Sequence, residues 1–569
     1  MPSCRDQILS EGYADYIVEY GSIIENVYNI YQTSCVQVIN ERFAVFHQPV
    51  VSMGVAVNTL PYSSIPKLFG LMDTSSMDGS GITRVQNQPY LNLKGQDVIV
   101  GVIDTGIDYT HPAFRSSDGA TRIIALWDQT IESGEDDAGR GNGMVDYGTI
   151  YTSGMINEAL LSDDPASIVP SVDTDGHGTF MAGIAAGSED LANDFIGAAP
   201  RADIAVVKLK PAKEYLRRYY LIQDDVPAYQ ENDIMTAVAY LLELSRRENK
   251  PLSICIGLGT NSGNHSGGAY ISRYLDIIGT LNGICISCAA GNESNRGCHY
   301  LGIVEANTPY VEVELRVGDE GAGFSMELWG AAPEIYSVGF VSPGGEVIER
   351  ISPRLGNTSR YAFVLEPTVI SVTQKIVESL SGGQMIFFRF QDPVPGIWRI
   401  RVYGTNLLNG TFHMWLPIHG FIVEDTYFLQ PQPDMTVTTP ADTWVTLSVG
   451  AYNHYNNSIY LYSSRGFTPQ GLVVPDFCAP GVNVFGPGLS GRYTTRSGTS
   501  VAAAHACGAA ALFLQWFLFN RGGYNISTVQ IRQYLIRGAN RKPDVIYPSR
   551  IWGYGTLDLY NAFEILITS

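Results

Sequence analysis

Two separated regions of the chain alternate short β-branched runs with longer segments of helical spacing. The run "DVIVGVIDTG" at residues 97–106 is a short β-branched run that ends at a glycine, as a strand buried on both faces does. "ADIAVVKLK", "PLSICIGLG" and "ICISCAAGN" repeat that pattern downstream. Between Asp233 and Leu244 the apolar residues Ile234, Ala237, Val238, Leu241 and Leu242 recur at helical spacing, and Asn232 or Asp233 stands where a cap would start the helix. "SRYLDIIGTLNG" predicts another helix. This βαβ rhythm predicts an α/β fold, a parallel sheet covered by helices on both faces.

The rhythm breaks near Arg296 and resumes near Thr443. Between them, "YVEVELRVGD", "FSMELWGAAPEIYSVGFVSP", "KIVESLSGGQMIFFRFQDP" and "GIWRIRVYGT" alternate with period two and are punctuated by Gly and Pro. That pattern predicts an inserted all-β sandwich or jelly roll, large enough to be a domain of its own. The α/β pattern returns in "WVTLSVGAYN", "VVPDFCAPGVNVFGPG", a long small-residue helix from Ser500, and a helical "VQIRQYLIRGA". At the other end, "YADYIVEYG" and "RFAVFHQP" read as strands around a helical "IIENVYNIY", an α+β piece that precedes the rest. The resulting division is 1–72, 73–298, 299–441 and 442–569.

Composition removes several classes of function. The 569 residues are 45% hydrophobic and carry a net charge of −20, with no basic patch, so neither nucleic acid nor an anionic lipid surface is an expected partner. The opening "MPSCRDQILSEGYADYIVEY" places charges where a secretory leader needs an apolar core, so synthesis in the cytoplasm is expected. Residues 501–519 approach membrane-spanning length, but the small residues, His505 and Gln515 suit a helix packed by protein on all sides, and no span is expected. Eight cysteines in so long a chain predict buried thiols rather than a disulfide framework. Cys285 and Cys288 form a C-x-x-C, but three apart in a strand they point to opposite faces, against a metal or redox pair.

Three junctions carry candidate chemistry. Asp104 ends a strand in "VIDTGIDYTHPAF", His177 sits between glycines in "DTDGHGTFMAGIAAG", and Ser500 opens the helix of "SGTSVAAAHACGAAAL". Singly, each reads as a turn, a loop or a cap. Together they supply the hydroxyl, the imidazole and the carboxylate that nucleophilic catalysis by serine requires. The helix start would also favour negative charge developing on a substrate oxygen.

In the order Asp, His, Ser, these motifs resemble the three signatures of the subtilisin-like serine peptidases, over residues 91–296 and 443–567. The resemblance implies that Asp104 orients the imidazole, His177 is the general base and acid, and Ser500 is the nucleophile. It implies Asn292 of "AAGNES" as the oxyanion side-chain donor, and Gly257, Leu258 and Gly259 as the edge that pairs with an extended protein substrate. No cofactor and no metal is implied: Ala113 and the short loop "LANDFIGAAP" depart from the family's principal calcium site, and Ala504 replaces a usual proline.

The large β insertion and the leading α+β piece make the chain most similar to the clostridial Csp germination proteases. That likeness implies a pro-region cut by the enzyme itself between about residues 60 and 95, near "PKLFGLMDTSS" or "TRVQNQP". It also implies retention of the pro-region as a non-covalent partner, activation of a spore cortex hydrolase precursor, and packaging in a spore. The rival reading is a silent pseudoprotease acting as a sensor or scaffold. Such a chain is expected to have lost the His or the Ser, and this one has kept both.

Overall fold

The computed structural model describes residues 3–20, 24–31, 33–50, 61–69, 76–132, 143–319, 321, 323–353, 358–521 and 526–568. Near the start, α1 (Cys4–Leu9) leads into β1 (Tyr13–Glu19), α2 (Ile24–Tyr31), β2 (Val36–Val38) and β3 (Phe43–Pro49). The strands form an antiparallel sheet in the order β1-β3-β2. Alternation divides this sheet between two cores. Tyr16, Val18 and Phe46 pack with Val27 of α2, while Ile17, Phe43 and Val45 belong to a core shared with the large sheet's helices. Cys4 and Cys35 form a disulfide, a bridge that the thiol expectation missed; the other six cysteines are buried and free.

A two-residue strand, β4 (Leu68–Phe69), precedes the large sheet. That sheet is built from β5 (Ile99–Asp104), β6 (Ile123–Asp128), β7 (Thr149–Thr152), β8 (Asp203–Lys208), β10 (Leu252–Ile256), β11 (Ile284–Ala289), β12 (Leu447–Asn453), β13 (Ser458–Ile459) and β14 (Phe477–Pro480), and the short β9 (Tyr229–Gln230) lies outside it. Its order is β13-β12-β11-β10-β5-β8-β6-β7, with β14 also on β12. The interior pairs are parallel, and only β7 and β13 run antiparallel to their neighbours. Five helices matter to the site: α3 (His177–Ala186), α4 (Glu214–Tyr220), α5 (Glu231–Glu248), α6 (Tyr270–Ile278) and α7 (Thr499–Arg521). Cys285 faces the α3/α7 core and Cys288 the α5/α6 core, so the C-x-x-C is split by the sheet. The apolar residues 501–514 of α7 are fully buried in protein.

The helix predicted from Asp233 begins at Glu231 instead, with Gln230 at its N-cap and no side-chain cap bond. Asp233 does other work. Its carboxylate accepts from Lys210 Nζ at 2.6 Å and from the Tyr147 hydroxyl at 3.0 Å, inside the core.

Strands from His299–Ile303 to Tyr427–Phe428 form two antiparallel sheets of six and five strands, closed over Phe324, Phe340, Phe388, Trp398 and their neighbours. Polar groups line the seam between these sheets and the α/β part. Glu327 accepts the Gly263 N–H at 2.9 Å and the Trp329 indole N–H at 2.7 Å. Glu293 accepts the His419 N–H at 3.0 Å. Burial pushes both carboxyls up from 4.5 to about 7. A carboxyl raised in this way contributes stability in full below about pH 4.5 and loses it as pH rises through about 7, up to about 3 kcal/mol for each group. The melting temperature of the full chain is therefore expected to fall between pH 6 and pH 8.5. Glu327→Gln, which mimics the protonated form, should flatten part of that slope; an unchanged slope in the variant would assign the pH dependence elsewhere.

Candidate active site

Asp104, His177 and Ser500 come from three different elements and meet beyond the carboxyl end of β5. Asp104 is the last residue of that strand, His177 the first of α3 and Ser500 the second of α7. Open α/β sheets collect functional groups at this edge because parallel strands leave their loops there. His177 Nδ1 lies 2.8 Å from Asp104 Oδ1, and His177 Nε2 lies 3.1 Å from Ser500 Oγ. A carboxylate only accepts, so Nδ1 carries the hydrogen and Nε2 offers its lone pair to the serine hydroxyl. Asp104 Oδ1 also accepts the Thr105 N–H at 2.8 Å. None of the three residues exposes more than 1% of its surface.

Small residues allow the approach. A Cβ on Gly178 would stand 2.2 Å from the Gly106 carbonyl oxygen and 3.1 Å from the Asp104 Cβ. A Cβ on Gly508 would stand 2.3 Å from the Ala198 Cβ and 2.6 Å from the Ala185 carbonyl, where α7 crosses α3. Without these glycines the strand end and the two helices could not close on one another.

Asn292 is tied to the same helix start. Its Oδ1 accepts the Thr499 N–H at 3.0 Å, and the Gly291 N–H donates to Thr499 Oγ1 at 3.1 Å. Because Oδ1 is the accepting end, the Asn292 NH2 group is left to donate elsewhere, and the residue is partly exposed. Gly257 abuts the pair, since an added Cβ would lie 3.1 Å from Ser500 Cβ and 3.2 Å from His177 Cε1. Leu258 is fully buried in the α5/α6 core and Gly259 is buried beside it. Thr260 then exchanges backbone bonds with Thr439 at 2.9 and 3.0 Å, fixing the end of this segment.

Asp173, which the sequence reading passed over, organises the His177 loop. Its Oδ1 accepts from the Thr105 hydroxyl and from the N–H groups of Asp175 and Gly176, and its Oδ2 accepts from the Thr179 N–H and hydroxyl. Thr105 Oγ1 in turn accepts the Gly178 N–H at 2.9 Å. The available signal was a carboxylate four residues ahead of His177 in a loop that needs its backbone donors satisfied. On α7, His505 donates from Nδ1 to the Val501 carbonyl and accepts the Ser76 N–H at 2.7 Å, and burial pushes its imidazole down to about 3.

A second feature was not legible at all. β4 pairs antiparallel with β9, Leu68 opposite Gln230 and Phe69 opposite Tyr229. The piece that precedes the large sheet thus sends its tail along an edge of the α/β part. Residues 70–75 of "PKLFGLMDTSS" lie outside the described residues.

The model of the subtilase family matches residues 95–322 and 425–555. The solved structure of the Clostridium perfringens CspB protease is similar with a TM-score of 0.75 and 32% identity, covering 86% of this chain and 97% of that one. A mouse membrane-bound transcription factor site-1 protease is 33% identical over 137 residues, which are 23% of this chain and only 12% of the mouse protein. A tomato subtilisin-like protease is 23% identical over 459 residues, 74% of this chain and 55% of the relative.

Two substitutions test the local architecture without reference to chemistry. Gly178→Ala is expected to destabilise the chain by about 1–3 kcal/mol through backbone overpacking. Asp173→Ala, which strands several buried donors, should cost about 2 kcal/mol or more. Urea unfolding of each variant measures both, and wild-type stability in either would contradict the packing described.

Proposed function

The chain belongs to the subtilase family of serine endopeptidases, and on that premise we propose that it hydrolyses peptide bonds through an acyl-enzyme formed on Ser500. The observation that carries this reading is the single imidazole bridging a carboxylate and a hydroxyl at 2.8 and 3.1 Å. Ser500 Oγ attacks the carbonyl carbon as its proton passes to His177 Nε2. Asp104 keeps the tautomer and stabilises the imidazolium that forms. The oxyanion is held by the Asn292 NH2 group and by the Ser500 N–H at the start of α7. As the C–N bond breaks, His177 returns the proton to the leaving amine; it then takes a proton from a water whose oxygen adds to the acyl carbon, and gives that proton to Ser500 Oγ as the acyl C–O bond breaks, releasing the acid and restoring Ser500.

The first substrate is the chain itself. Phe69 is held against Tyr229 and Ser76 is held by His505, so the cut is proposed within the intervening stretch, before Ser76. The pro-region then stays bound. Lys213 Nζ donates to Asp15 at 2.7 Å, His47 Nδ1 donates to the same oxygen at 2.7 Å, and Arg273 pairs with Glu19. Burial alone would raise the Asp15 carboxyl, but Lys213 and His47 hold it well below the usual range. Phe43 meets Tyr270 and Tyr274 edge-on in the shared core. The physiological target is proposed to be a protein precursor, and the Csp-like architecture favours a spore cortex hydrolase zymogen.

Intact mass of the wild-type chain and of Ser500→Ala, each treated with a serine-reactive fluorophosphonate, tests this. Wild type alone should lose the leading piece and gain the probe; failure of both would leave a silent relative as the better reading. Asn292→Ala should lower kcat about a hundredfold with little change in KM. A mainly KM effect would remove Asn292 from the oxyanion site.

A further inference from the structure

The triad lies beyond the carboxyl end of β5, and the opposite end of the sheet gathers a second set of side chains. Lys94 precedes β5, Arg122 immediately precedes β6 and Arg201 stands two residues ahead of β8; these strands are parallel neighbours in the order β5-β8-β6. Arg115 joins them from the turn at residues 112–114, and Ser188 from the chain just past α3. Hydrogen bonds tie the set together. The Arg201 N–H donates to the Lys94 carbonyl at 2.7 Å. Arg122 Nη1 donates to the Ala202 carbonyl at 2.6 Å and its Nε to Ser188 Oγ at 3.0 Å. Ser188 Oγ in turn donates to the Arg115 carbonyl at 2.5 Å. Beside these contacts lies a cavity of about 510 Å³, whose walls include Lys94, Arg115, Arg122, Arg201, Ser116 and Ser117. No basic run in the sequence marks the place, because each cation comes from a separate segment.

One of the four charges is used by the fold itself. Arg122 Nη2 donates to the carbonyl of Ala186, the last residue of α3, so this guanidinium meets the negative end of that helix. Asp203, whose charge also reaches Arg122, is held by Lys250 at 2.6 Å. The other three cations form no ion pair among the described residues. Arg115 spends Nη2 on the Thr110 carbonyl at 2.5 Å, and its shielded Nε meets no acceptor among the described residues. Asp118 turns back to its own loop, accepting the Ser116 hydroxyl and the Ala120 N–H. Glu189, exposed at the rim, is the one carboxylate among the described lining residues.

Converging cations with a single carboxylate among them favour an anion, and arginine suits phosphate because its planar donors can take two oxygens at once. Lys94, Arg115 and Arg201 against Glu189 leave two positive charges in excess. A phosphomonoester answers that excess, with about −1.5 to −2 at neutral pH and three acceptor oxygens. Ser117 adds a hydroxyl donor. The volume falls within the range of small-molecule sites, about 300–1,000 Å³, which leaves room for an organic body beside the phosphate. We propose that this cavity binds a phosphorylated small molecule, at the end of α3 remote from His177.

Glycerol 3-phosphate and glucose 6-phosphate serve as probes, each titrated calorimetrically into the full chain at neutral pH and fixed ionic strength. At least one should bind with a Kd below about 1 mM. Glycerol and glucose should not bind, and citrate should bind at least tenfold more weakly than the better phosphate. Arg115→Gln and Arg201→Gln should each weaken that binding at least fivefold. Glu189→Gln should strengthen it at least twofold, a gain that damage to the fold could not produce. Absence of binding by both phosphates overturns the inference, as does binding that the two arginine substitutions leave unchanged. Citrate binding as tightly as the better phosphate overturns the assignment to a phosphorylated ligand. None of these outcomes bears on the peptidase reading of Ser500, which stands or falls on its own test.

Discussion

The contact between Asp104 and His177 exists because Gly178 carries no Cβ. The strand that ends in Asp104 and the helix that starts with His177 touch backbone to backbone at Gly106 and Gly178. The helix that carries Ser500 crosses the same helix at Gly508, again with no side chain between. Each close approach removes a degree of freedom from the imidazole, which must meet an acceptor on one side and a hydroxyl on the other. The hydrogen bonds of Asp173 fix the remaining freedom of the loop before His177. Geometry within a few tenths of an ångström therefore follows from small residues and one buried carboxylate, rather than from the three functional side chains alone.

The inserted β domain is joined to the α/β part by polar contacts whose protonation matters. Glu327 and Glu293 reach across the seam to backbone N–H groups while buried enough to favour the neutral acid. Apolar packing at Trp329, Phe387 and Trp415 against α4 supplies the area, and the carboxyls supply the register. The position of the insertion relative to the site thus has a fixed orientation from two kinds of contact.

Much of this was legible in the sequence because period and punctuation survive folding. The strands ending at Asp104, Ile256 and Ala289, the period-two insertion and the buried small-residue helix all appear where their patterns predict. Asp233 misled, because an acidic residue near a helix start usually caps it, whereas here Lys210 and Tyr147 draw it into the core. Asp173 went unseen because its bonds to Asp175, Gly176 and Thr179 read as ordinary loop bonding, and only the contact with Thr105, distant in sequence, ties it to the strand end. The pairing of β4 with β9 joins residues about 160 positions apart over only two residues, too short a run for alternation to register. The Cys4–Cys35 bridge failed for a similar reason: spacing alone does not say which thiols a small sheet brings together.

The core shared by β1, β3, α5 and α6 has a thermodynamic consequence. While the backbone is continuous, that core belongs to one molecule and its unfolding is unimolecular. A break ahead of Ser76 would turn the same side chains into the interface of an obligate heterodimer encoded by one reading frame. Its folding free energy would then include a translational term, so that dilution, which leaves the unbroken chain indifferent, would lower its midpoint of unfolding. Leaving would part Lys213 from Asp15, a pair buried while the piece is in place, so that loss of this ion pair would oppose release of the smaller fragment.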